Sequence, residues 1–142
     1  MSDYDDQNVF AKILRGEMPS ESVYEDENTL VIMDIMPRAP GHALVLPKTP
    51  SRNIFDIAPA DLSAVMATVQ RVAKASRTAF EADGITIQHF VEGAGGQMVF
   101  HTHVHVIPRH AGAPLRPHSG DVAPPEEIRG NGAKLRAALN EE

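Results

Sequence analysis

Three histidines, His101, His103 and His105, stand at alternate positions in the segment GAGGQMVFHTHVHVIPR, which runs from Gly93 to Arg109. Imidazole suits chemistry near neutral pH, because its ordinary pKa of about 6.5 leaves one ring nitrogen unprotonated. On a strand, alternate side chains share a face. Phe100, Thr102, Val104 and Val106 then point to one side, and the three imidazoles form a row on the other. Three readings of that row stand open. The first is a metal site: histidines two apart on a strand lie ~7 Å from each other and can share an ion, whereas the outer pair, ~13 Å apart, needs His42 or an acid from elsewhere. The second is a solvent-facing strand that is merely rich in histidine. The third is nucleophilic catalysis at phosphorus. One imidazole attacks through one nitrogen, while a backbone carbonyl of the same strand holds the other nitrogen as a donor. The flanking imidazoles and the amides of Gly95, Gly96 and Gln97 then supply hydrogen bonds to the developing negative charge.

The elements that must position this segment are legible from pattern. Val9, Phe10, Ile13 and Leu14 make a short helical stripe stopped by Gly16 and Pro19. Ser22–Tyr24 and Thr29–Met33 read as strands around a turn-like Glu25–Asn28. A loop dense in Pro and Gly, Asp34 to Gly41, leads into a buried strand, His42–Leu46. Pro59 opens a long helix whose Leu62, Val65, Met66, Val69, Val72, Ala73 and Phe80 share one face, with Gly84 placed to end it. Ile85–Val91 and Val99–Ile107 read as an antiparallel hairpin around the glycine turn Glu92–Gly96. Four prolines between Pro114 and Pro125 predict an irregular excursion. Glu126–Leu139 has a helical pattern weakened by Gly130 and Gly132, at ~1 kcal/mol each. The expected architecture is α+β: an antiparallel sheet with one long helix packed on it and a short N-terminal helix. Residues 1–7 read as a disordered tail, 8–110 as the domain, and 111–142 as a Pro-rich excursion and C-terminal helical tail of the same domain.

Composition narrows the classes of function. The chain has 142 residues, 13 Lys+Arg against 19 Asp+Glu, a net charge of −6, seven His, no Cys and no Trp. Disulfides, thiolate zinc sites and a cysteine nucleophile are excluded. The acidic balance argues against binding long nucleic acid through a basic face, while leaving room for a small anion in a local pocket. The N-terminus is acidic and polar, unlike a signal peptide, and no stretch approaches the ~20 apolar residues of a membrane span. The expectation is a soluble, cytoplasmic protein with no membrane partner.

The motif HTHVHVI from His101 resembles the histidine triad (HIT) signature, His-x-His-x-His followed by apolar residues. The upstream block DIMPRAPGHALVLPK, Asp34 to Lys48, resembles the family's Asp-x-x-Pro-x-x-Pro-Gly-His-x-Leu-Val-x-Pro-Lys, and Gly96-Gln97 and Pro108-Arg109 also match. The resemblance covers residues 8–110 in order and spacing. It implies a nucleotide hydrolase or phosphoramidase acting on nucleoside phosphoramidates, acyl-nucleotides or dinucleoside polyphosphates. His103 would be the nucleophile that forms a nucleotidyl-histidine, His101 and His105 would orient phosphate and leaving group, and His42 would complete the cluster. Asp34 would bind ribose hydroxyls, Gly95, Gly96 and Gln97 the phosphate, and Phe10, Ile13, Ile32 and Ile35, with Val9, would line the pocket for a purine base. A homodimer and no obligatory cofactor are implied. Arg109 is open between phosphate ligand, solvated charge and dimer contact, His89 between solvent and the triad's neighbourhood; His110 and His118 read as surface residues. Three departures stand out: Met98 where many members have Ser or Thr, Val91 where many have Asn, and Asn8 and Ala11 where some bacterial members have a Cys pair that binds zinc with two histidines. No metal is expected. A nucleotide-binding module with little catalysis and a histidine-metal hydrolase remain as alternatives.

Overall fold

Alternation along the apolar strands decides which face of the sheet each side chain takes, and both faces are covered. The structure, a computed structural model, describes residues 4–117 and 121–141. Helix α1 spans Val9–Leu14, strands β1, β2 and β3 span Ser22–Glu25, Thr29–Met33 and Ala43–Pro47, and helix α2 spans Pro59–Ala79. Strands β4, Gly84–Gln88, and β5, Val104–Arg109, and helix α3, Pro125–Asn140, complete the chain. The five strands form one antiparallel sheet in the order β1-β2-β3-β5-β4. Val31, Met33, Ala43, Val45, Val104 and Val106 face Val65, Val69 and Val72 of α2 and Leu135 and Leu139 of α3. The opposite set, Leu30, Ile32, Leu44 and Leu46, packs on Phe10 of α1. His105 sits opposite Leu44 in register and so belongs to this second face, away from the long helix. The α+β expectation holds, and no helix among the described residues is long and apolar enough to cross a membrane.

Three boundaries depart from the sequence reading. The hairpin strands are shorter than expected: β4 stops at Gln88 and β5 begins only at Val104. Between them the chain bonds elsewhere, with the His89 ring donating from Nδ1 to the His103 carbonyl at 3.0 Å and the Thr102 amide donating to the Ser51 carbonyl at 2.8 Å. His101 and His103 therefore lie on an irregular approach to β5, and only His105 is a strand residue. Helix α2 ends before Gly84, which instead opens β4. The C-terminal helix forms over the span its pattern predicts, to within one residue at each end, and Gly132 faces Glu21, where a Cβ would lie 2.8 Å from Cγ. Within the segment read as a tail, residues 1–3 lie outside the described residues, and Tyr4 is hydrogen-bonded into the domain at His101.

The Pro-rich excursion is tied to the loop that carries Asp34 and leads to His42. Arg116 N–H donates to the Arg38 carbonyl at 2.7 Å, Arg38 Nε returns a bond to the Arg116 carbonyl at 3.2 Å, and Ala123 N–H donates to the Ile35 carbonyl at 2.9 Å. His118 lies outside the described residues. Gly41, immediately before His42, has φ +90° and abuts the Phe80 ring, where a Cβ would lie 2.6 Å from Cε2. Both features demand glycine. Gly41→Ala is expected to lower stability by about 1–3 kcal/mol in urea unfolding, from strain and overpacking together. Gly16→Ala, at φ +79° with nothing within 4 Å of the new Cβ, should cost only about 1 kcal/mol.

Candidate active site

The second sheet face carries a cavity of about 370 Å³, a size suited to a small-molecule ligand. Phe10, Ile13, Ile32 and Ile35 line it on the apolar side, with Asp34, His103 and His105 as its polar groups. Gly96, Phe90 and the 69% exposed Met98 border it as well. Phe10 meets the His103 ring edge-on at 4.8 Å between centroids, and Phe90 meets His105 in the same way at 5.3 Å. Of the four histidines assigned by resemblance, two reach the cavity, and the other two, His42 and His101, are fully buried behind it.

Hydrogen bonding assigns the protons on these rings. His103 Nδ1 lies 2.7 Å from its neighbour His101's carbonyl oxygen, an acceptor only, so Nδ1 carries the proton and Nε2 keeps a lone pair. The backbone carbonyl expected to hold the nucleophile is thus present. His101 itself donates from Nε2 to the Pro47 carbonyl at 2.8 Å and accepts at Nδ1 from the Tyr4 hydroxyl at 2.7 Å. Its ring is turned away from the cavity, and its contact with the nucleophile is made through its carbonyl. Burial holds the His101 imidazole below its usual pKa, against the Pro47 carbonyl, which favours the charged form. Burial acts more strongly on His103 and pushes it down to about 4, with the His101 carbonyl opposing and nearby His89 adding to the effect.

A second chain of bonds fixes His105. The Arg38 amide donates to His42 Nδ1 at 3.0 Å, which places the His42 proton on Nε2. That nitrogen is 2.8 Å from His105 Nδ1 and 3.5 Å from Asp34 Oδ2. His105 Nδ1 therefore accepts, and its proton sits on Nε2. Asp34, His42 and His105 bring three potential ligand atoms within 4.8 Å of one another, which poses the metal question directly. The donor set does not fit a metal, because the proton that the Arg38 amide forces onto His42 Nε2 occupies the atom facing the other two.

The glycine turn is bonded inward. The amides of Gly95 and Gln97 both donate to the Glu92 carbonyl at 3.0 Å, and that of Gly96 to the Gly93 carbonyl at 3.0 Å. Gln97's side chain accepts from Asn53 Nδ2 and the Glu92 amide and donates to the Arg52 and Val99 carbonyls. The three amides and the Gln97 carboxamide expected to bind phosphate are thus occupied within the loop. Arg109 is likewise away from the site: its Nη1 bonds Thr86 across the β4–β5 pair. His110 is exposed and donates to the Phe80 carbonyl.

Three contributors lie outside the assigned site residues, and of these the sequence reading places only His89 near the triad, as one of two options. His89 accepts from the Ile54 amide at Nε2 and donates to the His103 carbonyl from Nδ1, so its ring links those two backbone segments. Glu92 adopts φ +62°, and a bidentate bond from Arg52 and one from Asn53 secure it, pulling its carboxyl down to about 2. Tyr4 is the third. Its place one turn ahead of Asn8 is the one available signal.

Residues 15–112 match the HIT domain family model. The chain belongs to the HIT family. A Hit-like protein from Bartonella henselae, described as involved in cell-cycle regulation, has 48% sequence identity to it and a TM-score of 0.92, over 96% of this chain and 99% of that one. A zinc-bound histidine triad family protein from Mycobacterium smegmatis is 40% identical, with a TM-score of 0.85 over 95% and 94% of the two chains. An Arabidopsis thaliana protein named adenylylsulfatase HINT3 is 37% identical over 101 residues, 71% of this HIT chain and 51% of that protein. The positions that the resemblance gives to a zinc-binding Cys pair in some bacterial members hold residues here that do not suit zinc. Asn8 spends Oδ1 on the Ala11 amide and Nδ2 on Tyr4, Ala11 has no ligand atom, and both nitrogens of His101 are engaged.

A histidine neutral in the fold and protonated in the unfolded chain makes stability rise with pH between its folded and unfolded pKa values. Between the ordinary 6.5 and about 4, His103 alone accounts for about 3 kcal/mol. Urea unfolding of wild type is expected to weaken as pH falls through that window. His103→Gln, which cannot titrate, should lose about 3 kcal/mol less over the same range.

Proposed function

We propose that this HIT protein is a nucleotide hydrolase that cleaves nucleoside 5′-phosphoramidates, acyl-nucleotides or dinucleoside polyphosphates through a covalent intermediate on His103. The observation that carries the reading is the Nδ1–H···O=C bond from His103 to His101, which presents an unprotonated Nε2 at the end of a base-sized apolar cavity. In the first step Nε2 forms a bond to the α-phosphorus, and the P–N or P–O bond to the leaving group breaks. An amine leaving group takes up a proton from solvent. In the second step the oxygen of water bonds to phosphorus and gives up a proton to solvent, the Nε2–P bond breaks with its electron pair returning to Nε2, and a nucleoside monophosphate departs. The Nε2–H of His105 donates to a phosphate oxygen, where negative charge builds in both steps. Asp34, an acceptor lining the cavity, takes the ribose hydroxyls, and Phe10, Ile13, Ile32 and Ile35 enclose the purine. Gly95, Gly96 and Gln97 act by holding the loop that borders the phosphate.

One observation favours a second reading, a nucleotide-binding protein with little turnover: the occupied loop amides leave few donors for phosphate. Adenosine 5′-phosphoramidate separates the two. Wild type is expected to release ammonia and the monophosphate in the presence of EDTA, and His103→Ala to lose at least about a thousandfold in kcat, the scale of removing a covalent nucleophile. Nucleotide binding without turnover would support the second reading. Because His103 is held at about 4, kcat/KM should stay level from pH 8 down to pH 5 and not fall near 6.5.

We also propose a homodimer. Strand β4 lies at the sheet edge with Ile87 about half exposed, so a second copy can extend the sheet there. Light scattering is expected to return twice the chain mass, and Ile87→Lys the mass of a single chain.

A further inference from the structure

The donors and acceptors around His101 form one directed chain. Asn8, at the N-cap of α1, accepts the Ala11 amide at Oδ1 and donates from Nδ2 to the Tyr4 hydroxyl at 3.0 Å. The Tyr4 hydroxyl donates to His101 Nδ1 at 2.7 Å, and its ring meets the imidazole edge-on at 5.7 Å between centroids. His101 Nε2–H donates to the Pro47 carbonyl at 2.8 Å, and the His101 carbonyl receives His103 Nδ1–H at 2.7 Å. Every polarity is set, because Pro47 offers only an acceptor and Asn8 Nδ2 only donors. Burial raises the Tyr4 phenol, which keeps its proton in place to donate. His101 is fully buried, with both ring nitrogens and its carbonyl hydrogen-bonded.

We propose that Tyr4 is a positioning residue, whose hydroxyl, held by Asn8, fixes the His101 imidazole and so keeps the His101 carbonyl beneath Nδ1 of the nucleophile His103. The inference rests on His103 as the nucleophile. It gives Tyr4, inside the segment 1–7 read as a tail, a task. Asn8, Tyr4 and His101 form a clasp of three side chains that ties the N-terminal helix to the triad. The same helix supplies Phe10 to the other edge of His103, so the segment grips the nucleophile and its support together.

Tyr4→Phe keeps the ring and removes the hydroxyl. Asn8→Ser keeps a good N-cap and removes the amide that holds the hydroxyl. Two readouts are taken on the full chain. In proton–nitrogen NMR of wild type, His101 is expected as the Nε2–H tautomer, with a slowly exchanging Nδ1–H on His103. In Tyr4→Phe the His103 Nδ1–H signal should broaden or vanish while the urea midpoint stays close to wild type. With adenosine 5′-phosphoramidate, kcat should fall about 2- to 10-fold, the range set by one hydrogen bond, with KM within about twofold. Asn8→Ser should shift both readouts in the same direction by less. An unchanged His103 Nδ1–H signal in Tyr4→Phe overturns the proposal, whatever the activity does. So does a Tyr4→Phe loss confined to KM. Loss of the signal in Tyr4→Phe, in a protein whose wild type turns over no nucleotide conjugate, supports the clasp and overturns the hydrolase reading instead.

Discussion

The proton on Nδ1 of His103 rests on a carbonyl oxygen 2.7 Å away, and the rest of the site is arranged around that bond. It fixes the tautomer, which exposes a lone pair at Nε2. It also has a use that grows as reaction proceeds. In the proposed reaction Nε2 bonds to phosphorus and positive charge develops on the ring, and a carbonyl dipole aimed at Nδ1–H stabilises that charge more than it stabilises the neutral imidazole. Burial works in the opposite direction, since it disfavours the charged ring and keeps the nucleophile neutral near pH 7. The carbonyl makes this buried ring usable: protonation by solvent is suppressed, while charge created by reaction has a partner waiting.

Holding one carbonyl in place takes contributions from distant parts of the chain. His89 bonds the His103 carbonyl, Pro47 and Tyr4 clamp the His101 ring, and Ser51 binds Thr102 between the two histidines. The Arg52–Glu92 pair, with Asn53 and Gln97, secures the glycine turn and keeps Glu92 at φ +62°, a conformation that costs of order 1–3 kcal/mol without such support. On the other flank Gly41 permits the turn into His42, and the Pro-rich excursion braces the Asp34–Gly41 loop at Arg38, whose amide sets the His42 tautomer. The sheet supplies the separation: α2 and α3 are buried against one face, which frees the other for the cavity.

The fold was largely legible because period-2 and period-3.6 patterns report burial directly. Val9–Leu14, Thr29–Met33 and the helix opening at Pro59 follow from those patterns. The failures cluster where polar side chains take over backbone bonding. Nothing in Val99–His103 reveals that Ser51 and His89 will claim its amides and carbonyls, so an apparent strand becomes an irregular segment. Local spacing also leaves out the internal bonding of the glycine-turn amides and of the His101 ring, since whether a donor is spent internally depends on partners such as Glu92, Pro47 and Tyr4. The clustering of His103, His105, His42 and Asp34 in space follows from two motifs, one around the triad and one from Asp34 to Lys48, that lead into adjacent strands β5 and β3.

The account stands on His103 Nε2 as the atom that bonds to phosphorus, and the most direct measurement is the mass of the enzyme itself during turnover. Acid-free rapid quenching of wild type with an adenosine phosphoramidate, followed by intact and peptide mass spectrometry, should show a transient gain of one nucleoside monophosphoryl group that maps to His103. Turnover with no adduct at any early time, or an adduct that maps to His101, His105 or His42, would contradict it.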